Sequence, residues 1–587
     1  MLKKCVAVWL ILLFIGLSFN AIGINVENSS YASFNGNILY VGGSGPDNYT
    51  KIQDAIDDSS DGDTVFVYDE SSPYYENINI NKQISLIGEN KEKTIIDGSR
   101  KDNVVILSVD GINIQGFTIR RGLDSWIGGG INIQSCNNTI TGNIISDNNH
   151  GILLYQDWEN DNNFISTNKI SNSRSFGIWL YSSNNNSFLG NTIEKSGDVG
   201  LDISAYSNFN FVADNEISNN GNHPYYYKCG IKIHGCKGNT IVRNRLSSNT
   251  KNGIIVTNHD NGIISDNKLN DNGGGISFSS CKNNIVSNNT LINDGFIGNY
   301  LNNHFSDNTV NSKPILILVD ESDRIIDEDV GQILVYNCFN LTFQNMKINN
   351  TACAIQLSNT NNCKIKNNNL VSNDKSGIEI DSLCRNITVI DNLILNNEEG
   401  IKIHGDNNTI LNNNISNNIV GIYLYRNGDN NTISGNIISK NINGLIADKS
   451  NYNIIKSNEI SYNKFQGLAL FNVNHNVISS NQISNNIKGI LIWHTLQNSG
   501  NLIVANNFIK NLRNAGFQST WSFSKPMHKW EENYWDNYKG FGRKIILGKF
   551  AYFIWLDYYS QAAIWIFRMP WFEFDRNPAK EPYDIEV

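Results

Sequence analysis

The sequence predicts an all-β fold, a single-stranded parallel β-helix solenoid, and three observations predict it. Fifteen asparagines from Asn143 to Asn506, among them Asn168, Asn215, Asn267, Asn368, Asn436 and Asn481, each stand three residues after one apolar residue and two before another. They recur every 19 to 29 residues with one gap, in which Phe343-x-x-Met346-x-Ile348 keeps the frame without the amide. Each repeat opens with Gly-apolar-x-apolar, as in Gly177-Ile-Trp-Leu, Gly400-Ile-Lys-Ile and Gly421-Ile-Tyr-Leu. Between these short alternating runs stand Asn-Asn, Asn-Gly and Ser-Asn pairs, and no run carries an apolar stripe at helical spacing. Alternation is strand periodicity, asparagine tolerates the left-handed backbone of a tight corner, and a fixed period of this size means one unit stacked on itself.

The asparagine column has a scaffold chemistry. If each coil lies over the last at the strand spacing of roughly 4.8 Å, one side-chain amide donates to the next along the stack. These residues therefore hold the coils and do not touch a ligand. About sixteen such coils, with a few more at the N-terminal side, give a rod on the order of 80–95 Å.

The two ends differ in composition from the repeats. Residues 1–23 read as a signal peptide: Lys3 and Lys4 precede an uncharged apolar stretch from Cys5 to Phe19, and Ala21-Ile22-Gly23 resembles a small-x-small cleavage site. An uncut signal anchor is the alternative, and either places the body outside the cytoplasm. Residues 24–110 read as an N-terminal cap and first irregular coils. There Thr50-Lys-Ile-Gln53 has capping-box form, and Ile52, Ala55 and Ile56 give a short helix one apolar face. Residues 111–520 are the repeats, and 311–330 read as an inserted acidic loop projecting from them, with Asp320, Glu321, Asp323, Asp327, Glu328 and Asp329. Residues 521–587 lack the asparagine frame and read as an aromatic cap, with Trp530, Tyr534, Trp535, Trp555, Trp565 and Trp571. Phe550–Phe567 is the most apolar stretch after the signal, but Asp557 and Gln561 interrupt it below the roughly 20 residues a span needs.

Charge and cysteine usage narrow the function classes. A net charge of −9 and a pI near 5.6, without a Lys/Arg cluster, remove nucleic acid as a partner. Eight cysteines follow the signal, none in a Cys-x-x-Cys pair. Equivalent ones lie two coils apart, too far for a bridge, so they read as buried free thiols, although export permits disulfides and leaves a pair such as Cys353 and Cys363 open.

Counting from each opening glycine, positions +2 and +4 face outward and stack from coil to coil. Two clusters result. Asp202, Lys232 and His234 stand beside Tyr155, Trp179 and Tyr181; Glu379 and Asp381 stand beside Lys402 and His404, then Tyr423 and Tyr425, with Asp448, Phe471 and Trp493 further along. Ile-Lys-Ile-His-Gly occurs in both, at 231–235 and 401–405. Aromatic faces with interleaved carboxylates, lysine and histidine suit a sugar polymer, since apolar ring faces stack on aromatics while hydroxyls take hydrogen bonds. The bland alternative is an outward sheet face with ordinary cross-strand pairs.

The Tyr40-Val-Gly-Gly-Ser-Gly-Pro-Asp-Asn-Tyr opening, Asp61-Gly-Asp-Thr-Val-Phe-Val, Ile95-Ile-Asp-Gly, Asn533-Tyr-Trp-Asp-Asn-Tyr and the terminal Pro578-Ala-Lys-Glu-Pro-Tyr-Asp resemble the exported NosD-like β-helix proteins of the pectate-lyase-like superfamily. The resemblance implies a right-handed β-helix of PbH1-type repeats, carbohydrate-related, at the cell surface or secreted.

The expected function is an exported cell-surface or envelope module that binds polysaccharide, or another surface protein, without catalysis. The binding residues are Trp179, Tyr181, Asp202, Lys232, His234, Tyr423, Tyr425 and Trp493. The first alternative is a lyase or hydrolase of acidic glycans, with Lys402 or His404 abstracting a proton and Asp381 or Glu379 as acid, base or calcium ligand. Against it, the chain has no Asp-Pro-x-Asp tetrapeptide and few arginines near either cluster. The second alternative is a copper-related accessory role, opposed by four methionines and scattered histidines. No cofactor is expected, calcium being the one metal the acidic residues admit. Peripheral envelope contact is a further expectation.

Overall fold

Each coil carries three short strands, and each strand pairs in parallel register with its counterpart one coil on: Ile140 opposite Ile165, Ile145 opposite Ile170, Ile152 opposite Ile178. The computed structural model describes residues 36–155, 160–222, 227–494, 500–520, 528–557 and 562–585. It shows an all-β parallel solenoid of about 21 turns with one short helix. The expected signal segment and Trp521 lie outside the described residues, as do the side chains of Trp555 and Trp565.

The expected asparagine ladder runs at the corner between the first and second strands of each coil. Asn436 is typical. It donates from Nδ2 to Asn458 Oδ1 at 2.9 Å and accepts from the Asn413 amide N–H and side chain at 2.9 and 3.0 Å. The residue before each ladder asparagine takes the left-handed turn, as Asn367 does at φ 55° ahead of Asn368, so the Asn-Asn pairs divide the work. Two further ladders occupy the other corners. Asn220, Asn249 and Asn272 pass bonds to Asp294 at one, and Asn138, Asn163, Asn186, Asn210 and Asn239 run to His259 at the other. Some thiols stand in the same corner columns: Cys363 Sγ accepts the Leu341 N–H and Cys384 Sγ the Thr360 N–H. All eight cysteines among the described residues are free of disulfides, Cys353 and Cys363 included.

The acidic segment expected to project from the array is part of it. Lys313–Val319 pairs in parallel with Gln332–Tyr336, and Ile325–Ile326 with Thr342–Gln344. A reversal at Asn311 and Ser312, both at positive φ, brings Lys313 and Pro314 back antiparallel to Thr309 and Val310. The apolar interior divides there into two clusters, one from Val41 to Val310 with Leu334, the other from Leu318 to Ile546. The coils of the solenoid thus form two stacks, each with its own apolar interior. Strand Gln332–Tyr336 joins them, Leu334 facing one core and Ile333 and Val335 the other. The acidic side chains decorate that coil: Asp323 accepts from Asn340 and Glu328 pairs with Arg324.

At the N-terminal end, helix α1 (Ile52–Asp58) buries Ile52, Ala55 and Ile56 as expected. Thr50 does not cap it. The helix begins after Lys51, which makes no side-chain cap bond; the Glu76 carboxylate accepts the N–H of Ile52 and of Gln53 at 2.9 and 3.0 Å instead. Toward the C-terminus the frame continues one coil beyond residue 520, contrary to expectation. Trp530-x-x-Asn533-x-Trp535 reproduces it with indoles as the inward residues, and Asn506 donates to Asn533 at 2.9 Å. The first strand run of the terminal antiparallel pair, Lys544–Asp557, and its partner Ala562–Asp575 follow.

Candidate functional site

The third strand of each coil bulges at its opening glycine. Phe176 pairs with Val199 and Ile178 with Leu201, while Gly177 and Gly200 stand outside the ladder. A Cβ on Gly177 would meet Gly200 O and Ile193 Cγ2, each at 2.5 Å, so the glycine and the residue after it both point inward. The residue before the glycine then faces outward with the +2 and +4 positions. A second side-chain row results, in which His150 stacks on Phe176 at 5.2 Å with ring planes 13° apart.

These rows line a cleft of about 930 Å³. The expected residues Trp179, Tyr181, Asp202, Lys232 and His234 all line it, and Tyr155 packs on Trp179 at 5.0 Å. Trp126, from the connection 121–128, meets Trp179 edge-on at 5.0 Å and forms one wall. Tyr227 forms another, its ring 4.1 Å from Lys232 Nζ. Asp124 and Arg174 pair across the rim.

The floor is ionic. Lys232 and Asp202 occupy adjacent coils in register, and Nζ lies 2.9 Å from Oδ2 with the two side chains only 10 and 2% exposed. Ser204 donates to the other carboxylate oxygen. Asp198 accepts the Lys228 N–H at 3.2 Å, and burial raises its pKa. His150 Nε2 lies 3.0 Å from Trp126 O, which requires the proton on Nε2 and leaves Nδ1 without a partner. Burial lowers the His150 pKa to about 4, so the ring is neutral near pH 7.

The second cluster also assembles, as a half-buried face of the second stack. Lys402 Nζ is 3.7 Å from Glu379 and 3.9 Å from Glu399. Burial opposes the lysine's charge, but the two carboxylates prevail and raise its pKa; burial raises that of Glu379. His404 meets Tyr425 edge-on at 4.9 Å, and Tyr425 meets Tyr423 at 5.2 Å. Burial, with Lys402 nearby, lowers the His404 pKa, and Nε2 has no partner. Burial, with Asp448 nearby, raises Tyr423 to about 12. Asp381 shares this face. Trp493 does not join the group: Asp448 and Phe471 intervene in register, and it pairs with Phe471 at 6.2 Å.

Counting outward positions from the glycine missed His150, Phe176, Asp198, Trp126 and Tyr227. The first two were detectable as a bulky His or Phe directly before the glycine on consecutive coils. Trp126 and Tyr227 come from irregular connections without repeat register.

Copper needs converging soft donors. Among the described residues no three of His, Cys, Asp and Glu converge, and the thiols of Cys338, Cys363 and Cys384 are bonded to backbone groups. The donor set of the described residues does not fit copper.

Two family models match the chain. "Right handed beta helix region" matches residues 102–256 and 225–324, so the first stack is similar to right-handed β-helix regions. "Periplasmic copper-binding protein (NosD)" matches residues 301–441 and 403–540, so the second stack is similar to NosD. No curated protein matches. Among solved structures the chain is similar to pectate lyase Pel9A (13% identity, 46% of this chain and 79% of that one, TM-score 0.31). It is also similar to an alginate lyase from Paenibacillus sp. str. FPU-7 (14%, 57% and 94%, 0.27) and to the periplasmic alginate epimerase AlgG (14%, 57% and 77%, 0.29).

Proposed function

We propose that the protein is an exported surface or envelope module that binds a polysaccharide in the cleft of the first stack. The observation that carries this reading is a cleft whose aromatic walls, Trp126, Trp179 and Tyr227, stand over the buried Lys232–Asp202 pair. Sugar rings present apolar faces to indoles, while a fixed ammonium and carboxylate orient hydroxyl or uronate groups. The ion pair is already bonded, so the site is preorganised and a ligand gains without reordering long side chains. Helix α1 and the terminal strand pair act as caps that keep the stack ends from pairing with other chains.

The test is binding of the purified protein to a panel of neutral and acidic oligosaccharides. At least one polymer binds, and Trp179→Ala weakens it ten-fold or more. A wild type inert across the panel removes the reading.

A second reading, catalysis at Glu379, Lys402 and His404, is favoured by the unpartnered Nε2 of a neutral His404. Lys402 is the poorer base because its neighbours keep it protonated. Loss of soluble product in the Lys402→Ala, His404→Ala double variant, with binding retained, supports this role; wild type that releases no product from any bound polymer removes it.

A further inference from the structure

The last two strands depart from the rest of the solenoid. The other strands of the described residues are two to nine residues long, whereas Lys544–Asp557 and Ala562–Asp575 have 14 each and pair antiparallel. Their inner face belongs to the second stack. Ile546 is buried in the core, Glu573 accepts from Trp530 Nε1 at 2.5 Å, and Asp575 accepts from Trp535 Nε1 and Asn533 at 3.0 Å, ending the asparagine ladder.

The outer face has the opposite character. Ile545 lies opposite Phe574 and Leu547 opposite Phe572, and these four side chains are 45–56% exposed. Beside them the connection Lys539-Gly-Phe-Gly-Arg543 holds Phe541 at 88% exposure. Four cations beside this apolar strip, Lys539, Arg543, Lys549 and Arg576, are exposed against one exposed acid of the connection, Asp536, while Glu573 and Asp575 are turned inward and consumed by indole bonds. A chain of net charge −9 thus presents here a cationic rim about an aromatic and aliphatic strip. The paired backbones continue through residues 550–557 and 562–569, a stretch whose sequence has only two charges, Asp557 and Arg568.

We infer that this hairpin is a docking surface for an anionic lipid bilayer, with Phe541 and the Ile545–Phe574 and Leu547–Phe572 pairs at the headgroup boundary. The chemistry is that of an interfacial anchor: apolar groups enter the boundary while lysine and arginine neutralise anionic headgroups. A cationic rim selects lipid over a second copy of this chain, whose matching face carries the same positive charge. The inference is independent of the glycan cleft.

The test places an environment-sensitive fluorophore on Phe541→Cys in the full chain, with Cys5→Ser so that the N-terminal thiol is not labelled. Vesicles of phosphatidylcholine with phosphatidylglycerol at about one in four should shift the emission to the blue and raise it several-fold. About 0.5 M salt, Lys539→Glu with Arg543→Glu, or Ile545→Asp with Phe572→Asp should each reverse the change. A fluorophore on Ile325→Cys, exposed at the stack junction, should not respond. No shift with anionic vesicles overturns the inference, as does an equal shift with phosphatidylcholine alone. A shift that grows with protein concentration without lipid assigns the face to a second copy and overturns it too. Unchanged far-ultraviolet circular dichroism shows that each variant folds.

Discussion

The side-chain amide of Gln332 stands beside Phe296 as a neighbouring strand would, accepting its N–H at 2.8 Å and donating to its carbonyl at 2.7 Å. The same nitrogen donates to Cys353 O at 2.8 Å, and Gln332 is fully buried. Phe296–Gly298 is the last third-face strand of the first stack, so one glutamine satisfies an open sheet edge and ties it to the second stack.

Gln332→Ala orphans the Phe296 amide and weakens the joint. Removing partners from buried groups of this kind costs about 2–4 kcal/mol in all. Urea unfolding should become biphasic as the stacks uncouple, and the Phe296 amide should exchange faster with deuterium. One unshifted transition would show that the glutamine contributes no coupling.

Within the ladder, Asn436→Ala leaves the Asn413 groups and the carbonyls of Ile410 and Ser434 without their partner. The expected loss is about 2–4 kcal/mol. Asn436→Asp should cost more, because a carboxylate oxygen then faces three acceptors. Asn412→Gly, at an exposed turn with φ 53°, should stay within about 0.5 kcal/mol. Equilibrium urea denaturation of the three variants checks the order.

Breaking the cleft's ion pair separates stability from binding. Lys232→Met leaves Asp202 buried without its ammonium and should cost about 3–5 kcal/mol. Asp202→Asn added to it should recover most of that loss while glycan affinity stays down. Recovery of both together would show that the charges play no part in recognition.

Two groups give pH dependence of opposite sign. His259, a histidine in an asparagine ladder, bonds Asn284 at 2.8 Å through Nδ1, and burial lowers its pKa to about 4. Its folded pKa lies below the unfolded value near 6.5, so the unfolded chain binds more protons in that window. Its contribution is complete above pH 6.5 and is lost as pH falls toward 4. Burial raises Asp294, at the end of its ladder, to about 8. The folded chain then holds the extra proton, and stability contributed below about pH 4 is lost as pH rises toward 8. Melting temperatures across pH 4–8 should show His259→Asn gaining on wild type toward acid and Asp294→Asn gaining toward alkali.

How much of this was legible follows from what repeats. The coil, its inward isoleucines and one ladder were legible because the same frame recurs with the same spacing. Trp530-x-x-Asn533-x-Trp535 escaped because aromatic composition looked like an end and not a coil. The acidic run at 320–329 read as a loop because charge dominates it, whereas Ile315, Ile317 and Ile326 carry its register. Lys232 and Asp202 were legible as in-register neighbours. His150 and Phe176 were not, because the bulge at glycine shifts the period of two, and Trp126 and Tyr227 reach the cleft from connections that no periodicity describes.

The most direct measurement is a crystal structure of the protein with the oligosaccharide it binds most tightly. A sugar ring should lie against Trp126 and Trp179, with a polar group within hydrogen-bond reach, about 3.2 Å, of Lys232 Nζ or His234. A ligand seated elsewhere with the cleft empty would contradict this placement.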